Sequence, residues 1–240
     1  MVATSVLSAS AGSKATTMPF LVVCPPIVVY HWIQEVKQHV PGFFASIIDY
    51  SVPASERKVL LQDGIRSLSD QGPTLIVTTY SILRTDIERL GNATYAFVVL
   101  DEAHLIRNPS TALFQAVRKL MALHRVALIG TPLQNNVTDL WALFEFLMPG
   151  YLGDFVAFRR EFVFPITKSA QRNATTKQKK VAAIAIARLH QKVLPFILRR
   201  TKEQVLTELP PKVISNVLLP IELWDESQYE SLAIPDVFNQ

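Results

Sequence analysis

Residues 95–104 read YAFVVLDEAH, an apolar run that stops at two adjacent acids. A run this short and this apolar is typical of a strand buried on both faces of a parallel sheet. Open α/β sheets place their chemistry just beyond the carboxyl ends of the strands, where Asp101 and Glu102 would lie. Neighbouring residues of an extended chain point in opposite directions, so one acid can hold a metal ion while the other reaches a water molecule. A solvated acidic turn is the alternative interpretation of the same pair.

Comparable apolar runs lie on both sides of this stretch, at residues 20–24, 45–50, 74–78 and 125–129. Segments with helical spacing separate them, and this alternation indicates βαβ units with a parallel sheet. The predicted fold class is therefore α/β. Four of the strands end in polar or proline-containing turns, which a parallel sheet would gather at one edge. These turns are Pro25-Pro26, Thr78-Thr79-Tyr80, Asp101-Glu102 and Gly130-Thr131-Pro132.

Beyond Thr138 the pattern changes to helices alone, and it includes a stripe of phenylalanines that we interpret as core. Residues 169–180 are polar and basic and are predicted to form a loop before a helix at 181–193. A helix from 108 to 121 is predicted before the last strand. The organisation predicted from these patterns is a disordered N-terminus at 1–17, an α/β domain at 18–137, a helical region at 138–212 and a further segment at 213–240.

Composition limits the classes of function. Of the 240 residues 49% are hydrophobic, which suffices for a core, and the single cysteine, Cys24, excludes an intrachain disulfide. We expect no membrane partner, because no apolar stretch is long enough to span a bilayer. Residues 155–202 carry twelve Lys or Arg and one acid (12 − 1 = +11), although the whole chain has a net charge of +4. Such a local excess indicates a polyanionic partner, with a solvated helix face as the alternative.

Five motifs, taken together, give the chain a specific resemblance. They are LVVCPPIVVYHW (21–32), LIVTTYSIL (75–83), VVLDEAHLIRN (98–108), LIGTPLQNNVTDLWALFEFLMPG (128–150) and LPFILRRTKEQVLTELPPK (194–212). Over residues 20–232 the chain resembles the first ATPase lobe of Swi/Snf-family helicase-like DNA translocases, and most closely the TATA-binding-protein-associated branch. The DEAH motif is shared with DEAH-type RNA helicases, an alternative that the last two motifs argue against.

This resemblance implies a RecA-like lobe of a P-loop NTPase with a helical protrusion, using ATP and Mg²⁺. Asp101 would hold the Mg²⁺ through water, and Glu102 would position or deprotonate the attacking water. His104 would connect the nucleotide site to Gln134, with Gly130 and Thr131 beside the nucleotide. The implied DNA-contacting residues are Pro25, Trp32, Thr78, Thr79, Tyr80, Arg199 and Arg200, of which the two arginines would also brace the lobes. Plainer structural interpretations exist for several of these residues: Trp32 as core, Gly130 as a turn residue, His104 as a turn cap, and Thr78 and Thr79 as ordinary strand residues.

The resemblance also implies partners: double-stranded DNA, TATA-binding protein or nucleosomes, and a second ATPase lobe reached through residues 213–240. It further implies a location in the nucleus. The 240 residues contain no G-x-x-x-x-G-K-[ST], the loop that binds phosphates, and no second lobe with its arginine finger, which is worth about 10³–10⁵ in rate. We therefore expect a part of an ATP-driven translocase that is not active alone. The alternatives are a natural half completed by another polypeptide, and a non-catalytic DNA- or protein-binding module.

Overall fold

The computed structural model describes residues 18–57, 59–60, 72–130 and 137–200. The chain divides into two compact units, residues 1–193 and residues 194–240. Within the first unit, the described strands form one sheet in the order β2-β3-β1-β4-β5, and every neighbouring pair is parallel. The strands are β1 (Phe20–Cys24), β2 (Ser46–Asp49), β3 (Thr74–Thr79), β4 (Thr94–Leu100) and β5 (Met121–Ala127).

The central strands are buried on both faces, as their uninterrupted apolar sequences predict. Along β1, Leu21 and Val23 join one hydrophobic cluster, whereas Phe20, Val22 and Cys24 join another. This alternation follows from the two-residue period of a strand. The sheet therefore separates two apolar layers, and helices cover both of its faces.

Helices and short helical turns connect the strands and form the last part of the first unit. The helices are α1 (Val29–His39), α2 (Tyr80–Thr85), α3 (Ile87–Leu90), α4 (Ala112–Arg118), α5 (Val137–Leu147), α6 (Phe155–Phe158), α7 (Phe164–Ser169) and α8 (Thr176–Val193). Tighter turns occupy Pro26–Val28 and Ala103–Ile106, a wider π-type turn occupies Arg159–Val163, and residues 54–57 are also helical. None of the helices described in the ranges above has the length and apolarity that crossing a membrane requires.

The helical region packs onto the same apolar layer as one face of the sheet. Phe158 and Phe162 are buried and belong to the cluster that contains Leu100 and Trp141. Helix α8 contributes to this cluster only through a narrow stripe, which includes Ala185. The phenylalanine stripe is therefore core, as predicted. The proposed division between 137 and 138 stays a prediction, as do the other domain limits.

Three elements differ from the sequence-based expectation. Helix α4 ends at Arg118, and Met121 begins β5 instead of ending the helix. β5 pairs only with β4 among the described strands, so residues 125–129, predicted as a buried strand, are only partly buried, and Met121 and Leu123 at the start of β5 are 48% and 61% exposed.

The third difference is that residues 176–180, predicted as loop, form the first turns of α8. The Thr175 hydroxyl accepts a hydrogen bond from the backbone N–H of Gln178 (3.3 Å), and the side-chain oxygen of Gln178 accepts one from the backbone N–H of Thr175 (2.8 Å). This reciprocal pair is a capping box, and the lysines that follow are good helix formers. The expectations for residues 1–17 and 201–240 concern segments outside the described residues.

Candidate active site at the carboxyl ends of the strands

The ends of three strands meet at one level of the sheet edge. Cys24 is paired with Thr79 of β3, and the preceding residue, Val23, is paired with Leu100 of β4. The strand order reverses direction at β1, so the crevice beside its carboxyl end is the position at which open α/β sheets bind ligands. The predicted convergence of the turns after β1, β3 and β4 is therefore present.

Asp101 is fixed by four hydrogen bonds. Its backbone amide donates to the carbonyl of Val23 (2.8 Å), which anchors the residue to β1. One carboxylate oxygen, Oδ1, accepts from the amide of Glu102 (2.9 Å), and the other, Oδ2, accepts from the indole Nε1 of Trp32 (2.9 Å). Its carbonyl oxygen accepts from the hydroxyl of Tyr80 (2.7 Å). Two residues predicted to lie near DNA therefore contact the predicted metal-binding acid.

Tyr80 is buried against this site. Its burial, together with the nearby charges of Asp101 and Glu102, raises the pKa of the phenol above its ordinary value. The hydroxyl therefore stays protonated and remains a donor to Asp101. The same combination of burial and the Asp101 charge raises the pKa of the Cys24 thiol to about 12, so this cysteine is a neutral core residue.

Glu102 adopts a left-handed backbone conformation with φ 51°, the one positive φ of a non-glycine residue within the described ranges. This conformation carries a conformational cost for any residue with a side chain, and it often marks a functional site. Hydrogen bonds from Leu128 to Leu100 and from Ala103 to Leu128 bring the end of β5 alongside the turn. As a result, Gly130 lies directly against the Glu102 carboxylate.

His104 also faces Glu102. Its Nδ1 lies 3.0 Å from Oε2 of Glu102, and both side chains are partly exposed. The contact becomes an ion pair when the imidazole is protonated, although Nδ1 makes no aligned hydrogen bond. Gln134 and Thr131, the other residues predicted at this site, lie outside the described residues. The predicted connection from His104 to Gln134 therefore stays a prediction.

The donor set at this turn fits a hard divalent cation that is bound largely through water. Asp101 and Glu102 offer carboxylate oxygens, and among the residues that the structure describes no group of three His, Cys, Asp or Glu could enclose a metal. Mg²⁺ characteristically binds through one or two carboxylates, keeps several water ligands and takes further oxygens from phosphates. The site therefore has the composition expected for a nucleotide-bound Mg²⁺.

Five of the residues predicted to contact DNA, those of β3, α1, α2 and the turn after β1, lie at or beside this edge, and four of them are buried. Thr78 is fully buried with an unpaired hydroxyl, and the Thr79 hydroxyl caps α2 by accepting from the Ile82 amide (3.4 Å). The large hydrophobic side chains exposed near Pro25 are those of Ile27 and Tyr30, which are not among the predicted site residues. Whether the predicted set contacts DNA stays a prediction.

The two predicted arginines belong to the second unit, whereas most of the basic region belongs to the first. Arg199 and Arg200 belong to the second unit, in an exposed stretch that follows the turn Leu194–Phe196. In the first unit, helix α8 contains no acid, and all its lysines and arginines are exposed: Lys177, Lys179, Lys180, Arg188 and Lys192. This helix supplies a positively charged surface of the kind that binds a polyanion.

Comparison with known proteins gives consistent matches. A family model described as SNF2-related domain matches residues 3–240. TATA-binding protein-associated factor mot1 of Aspergillus fumigatus is 45% identical over 83% of this chain and 10% of its own length. TATA-binding protein-associated factor 172 of Homo sapiens is 38% identical over 92% of this chain and 12% of its own length. The chain thus spans about a tenth of these curated relatives.

A solved structure also matches. The Sulfolobus solfataricus SWI2/SNF2 ATPase core in complex with double-stranded DNA is 33% identical, with a TM-score of 0.66. The match covers 85% of this chain and 38% of that structure's chain.

Proposed function

The chain belongs to the SNF2-related domain family, and from that premise we propose that it is part of an ATP-dependent double-stranded-DNA translocase. The observation that carries this proposal is the Asp101–Glu102 turn, held at the carboxyl edge of a parallel sheet with Gly130 beside it.

The chemistry proposed for this turn is hydrolysis of a nucleoside triphosphate. A bound Mg²⁺ would neutralise charge on the phosphates. Asp101 would hold the ion through its water ligands, while the partly exposed carboxylate of Glu102 would orient the attacking water and accept its proton. His104, 3.0 Å from Glu102, would restrict the position of that carboxylate. The phosphate-binding loop G-x-x-x-x-G-K-[ST] does not occur in these residues, so we expect their own affinity for ATP to be weak.

The proposed nucleic-acid partner is duplex DNA. A solved relative was determined with double-stranded DNA, and the basic helix α8 offers exposed lysines that suit phosphate contacts. The proposed remodelled substrate is TATA-binding protein or a nucleosome, and the proposed location is the nucleus, because relatives at 38–45% identity are named TATA-binding protein-associated factors.

Calorimetric titration of the chain with Mg-ATP tests the nucleotide role. We expect weak, magnesium-dependent binding, with an affinity that Glu102→Gln alters. Glu88→Gln is a matched change at an exposed glutamate and should leave the affinity unaltered. Complete absence of binding by a folded chain would contradict an autonomous nucleotide site and favour the binding-module alternative.

Fluorescence anisotropy with a labelled DNA duplex tests the second role. Binding should weaken as salt rises from 50 to 200 mM, because counterions are released from the phosphates. Replacing Lys177, Lys179 and Lys180 with Gln should weaken binding and reduce the salt slope, whereas Lys119→Gln, at an exposed lysine outside α8 that pairs with Glu88, should not. Preference for an RNA duplex would instead support the RNA-helicase alternative.

A further inference from the structure

The contact between Trp32 and Asp101 joins residues 69 positions apart in the sequence. The indole Nε1 is the only hydrogen-bond donor of a tryptophan side chain, and here it donates to a carboxylate oxygen at 2.9 Å. Trp32 is 9% exposed and packs with Ile33 and Val36 in the layer beneath α1. The ring is therefore held by its packing, and its one donor is aimed at Asp101.

Helix α2, which follows β3, also holds Asp101. The hydroxyl of Tyr80 donates to the carbonyl of Asp101 at 2.7 Å, and Tyr80 is the first residue of α2, directly after β3. Asp101 is thus contacted by the helices that follow β1 and β3, one at its side chain and one at its backbone. A shift of either helix must move Asp101 or break a hydrogen bond.

The contact with Trp32 leaves the carboxylate able to bind more groups. An ionised carboxylate has about four lone-pair sites. The Glu102 amide and the Trp32 indole occupy one on each oxygen. Among the residues that the structure describes, no further hydrogen bond to the carboxylate is seen, so the indole restricts it and leaves lone pairs for a metal-bound water.

We propose that Trp32 is a positioning residue for Asp101, with Tyr80 as its backbone counterpart, and that this pair couples the helices after β1 and β3 to the acid of the nucleotide site. The coupling to a nucleotide rests on the proposed function. The positioning does not, because it concerns hydrogen bonds within the chain itself.

The test uses the ¹⁵N-labelled chain in solution. It contains three tryptophans, so its indole region should hold three N–H signals, and Trp32→Phe identifies one of them. Asp101→Ala should shift the Trp32 signal. The Trp141 signal should stay unchanged, because that indole donates to the Gly153 carbonyl (3.0 Å). An unmoved Trp32 signal would overturn the proposal.

The second measurement is amide hydrogen exchange at Glu102, whose N–H is bound by the Asp101 carboxylate. Trp32→Phe keeps an aromatic ring but removes the donor, so exchange at Glu102 should accelerate about fivefold, as expected for one lost hydrogen bond. Tyr80→Phe should also accelerate it, and the control Trp141→Phe should not. Unchanged exchange in Trp32→Phe, with native circular dichroism, would show that Trp32 serves packing alone.

The coupling to a nucleotide is tested separately, by adding Mn²⁺ and ATP to the wild-type chain. Broadening of the Trp32 signal at lower Mn²⁺ concentrations than that of Trp141 would place the ion beside Asp101. Without such broadening the coupling to a nucleotide would be wrong, whereas the exchange result would still decide the positioning role.

Discussion

Gly130 and Glu102 lie so close together that a Cβ added to Gly130 would stand 3.3 Å from Oε1 of Glu102. The turn after β5 thereby limits where the second acid of the site can lie. Because the obstacle is the end of a flexible side chain, Gly130→Ala should displace the carboxylate and leave the backbone in place. We expect the free energy of unfolding to change by less than about 0.5 kcal/mol, while the NMR signals of His104, which faces Glu102, shift. Unmoved His104 signals would show that Glu102 is not in contact with residue 130.

Gly91 gives the opposite expectation for the same substitution. A Cβ there would lie 2.8 Å from the carbonyl oxygen of Ile87, which also accepts the Gly91 amide (2.7 Å) at the end of α3. A backbone oxygen in a hydrogen bond cannot move away without loss, so Gly91→Ala should destabilise the chain by about 1–3 kcal/mol. Urea unfolding of the two alanine variants side by side measures the contrast, and equal stabilities would contradict it.

The fold and the family could be predicted because their signals are local. Strands β1 and β3 are predicted from uninterrupted apolar runs, and the structure confirms both strands. It also confirms the parallel sheet with helices on both faces and the meeting of the strand ends at one edge. The family match confirms the Swi/Snf resemblance, and the named relatives confirm the TATA-binding-protein-associated branch.

The contacts within the site could not be predicted in the same way. The hydrogen bond from Trp32 to Asp101 depends on the pairing of β1 with β4, and nothing in the spacing of the two residues indicates it. The start of α8 differs from the prediction for another reason: a run of polar residues is typical of a loop, although Thr175 and Gln178 carry a T-x-x-Q capping signal.

Asp86 is the centre of a polar cluster that joins the break between α2 and α3 to the end of β2. Its Oδ2 accepts from the Tyr50 hydroxyl (3.1 Å) and from Nε of Arg57 (2.8 Å), and both partners are largely buried. Tyr50→Phe should cost about 1 kcal/mol, the usual value of one hydrogen bond. Asp86→Asn leaves the buried guanidinium without its counter-charge and should cost about 3 kcal/mol. Chemical denaturation measures both, with the exposed Tyr30→Phe as a control that should change little.

The same cluster predicts a dependence of stability on alkaline pH. Burial, and then the charge of Asp86, raise the pKa of Tyr50 from 10.0 to about 12 in the folded chain. Because the pKa is raised on folding, the stabilisation that the Tyr50 phenol provides is fully present below pH 10 and is lost as the pH rises toward 12. The stability difference between the wild type and Tyr50→Phe should therefore be constant up to about pH 10 and shrink above it. A difference that stays constant to pH 12 would show that the phenol ionises equally easily in the folded and unfolded chains.

Helix α8 should tolerate added volume on one face only. Ala185 is buried against the core cluster, whereas Ala183, two residues earlier, is exposed. Ala185→Leu forces three extra carbon atoms into a packed layer, which typically costs about 1–3 kcal/mol, and in a chain of this size each kcal/mol lowers Tm by about 2–4 °C. Ala183→Leu makes the same chemical change at the surface and should alter the stability by less than about 0.5 kcal/mol. Thermal unfolding followed by circular dichroism compares the two variants, and equal Tm values would show that α8 is not packed through Ala185. Because Ala183→Leu leaves every lysine of α8 in place, its affinity for duplex DNA should match that of the wild type.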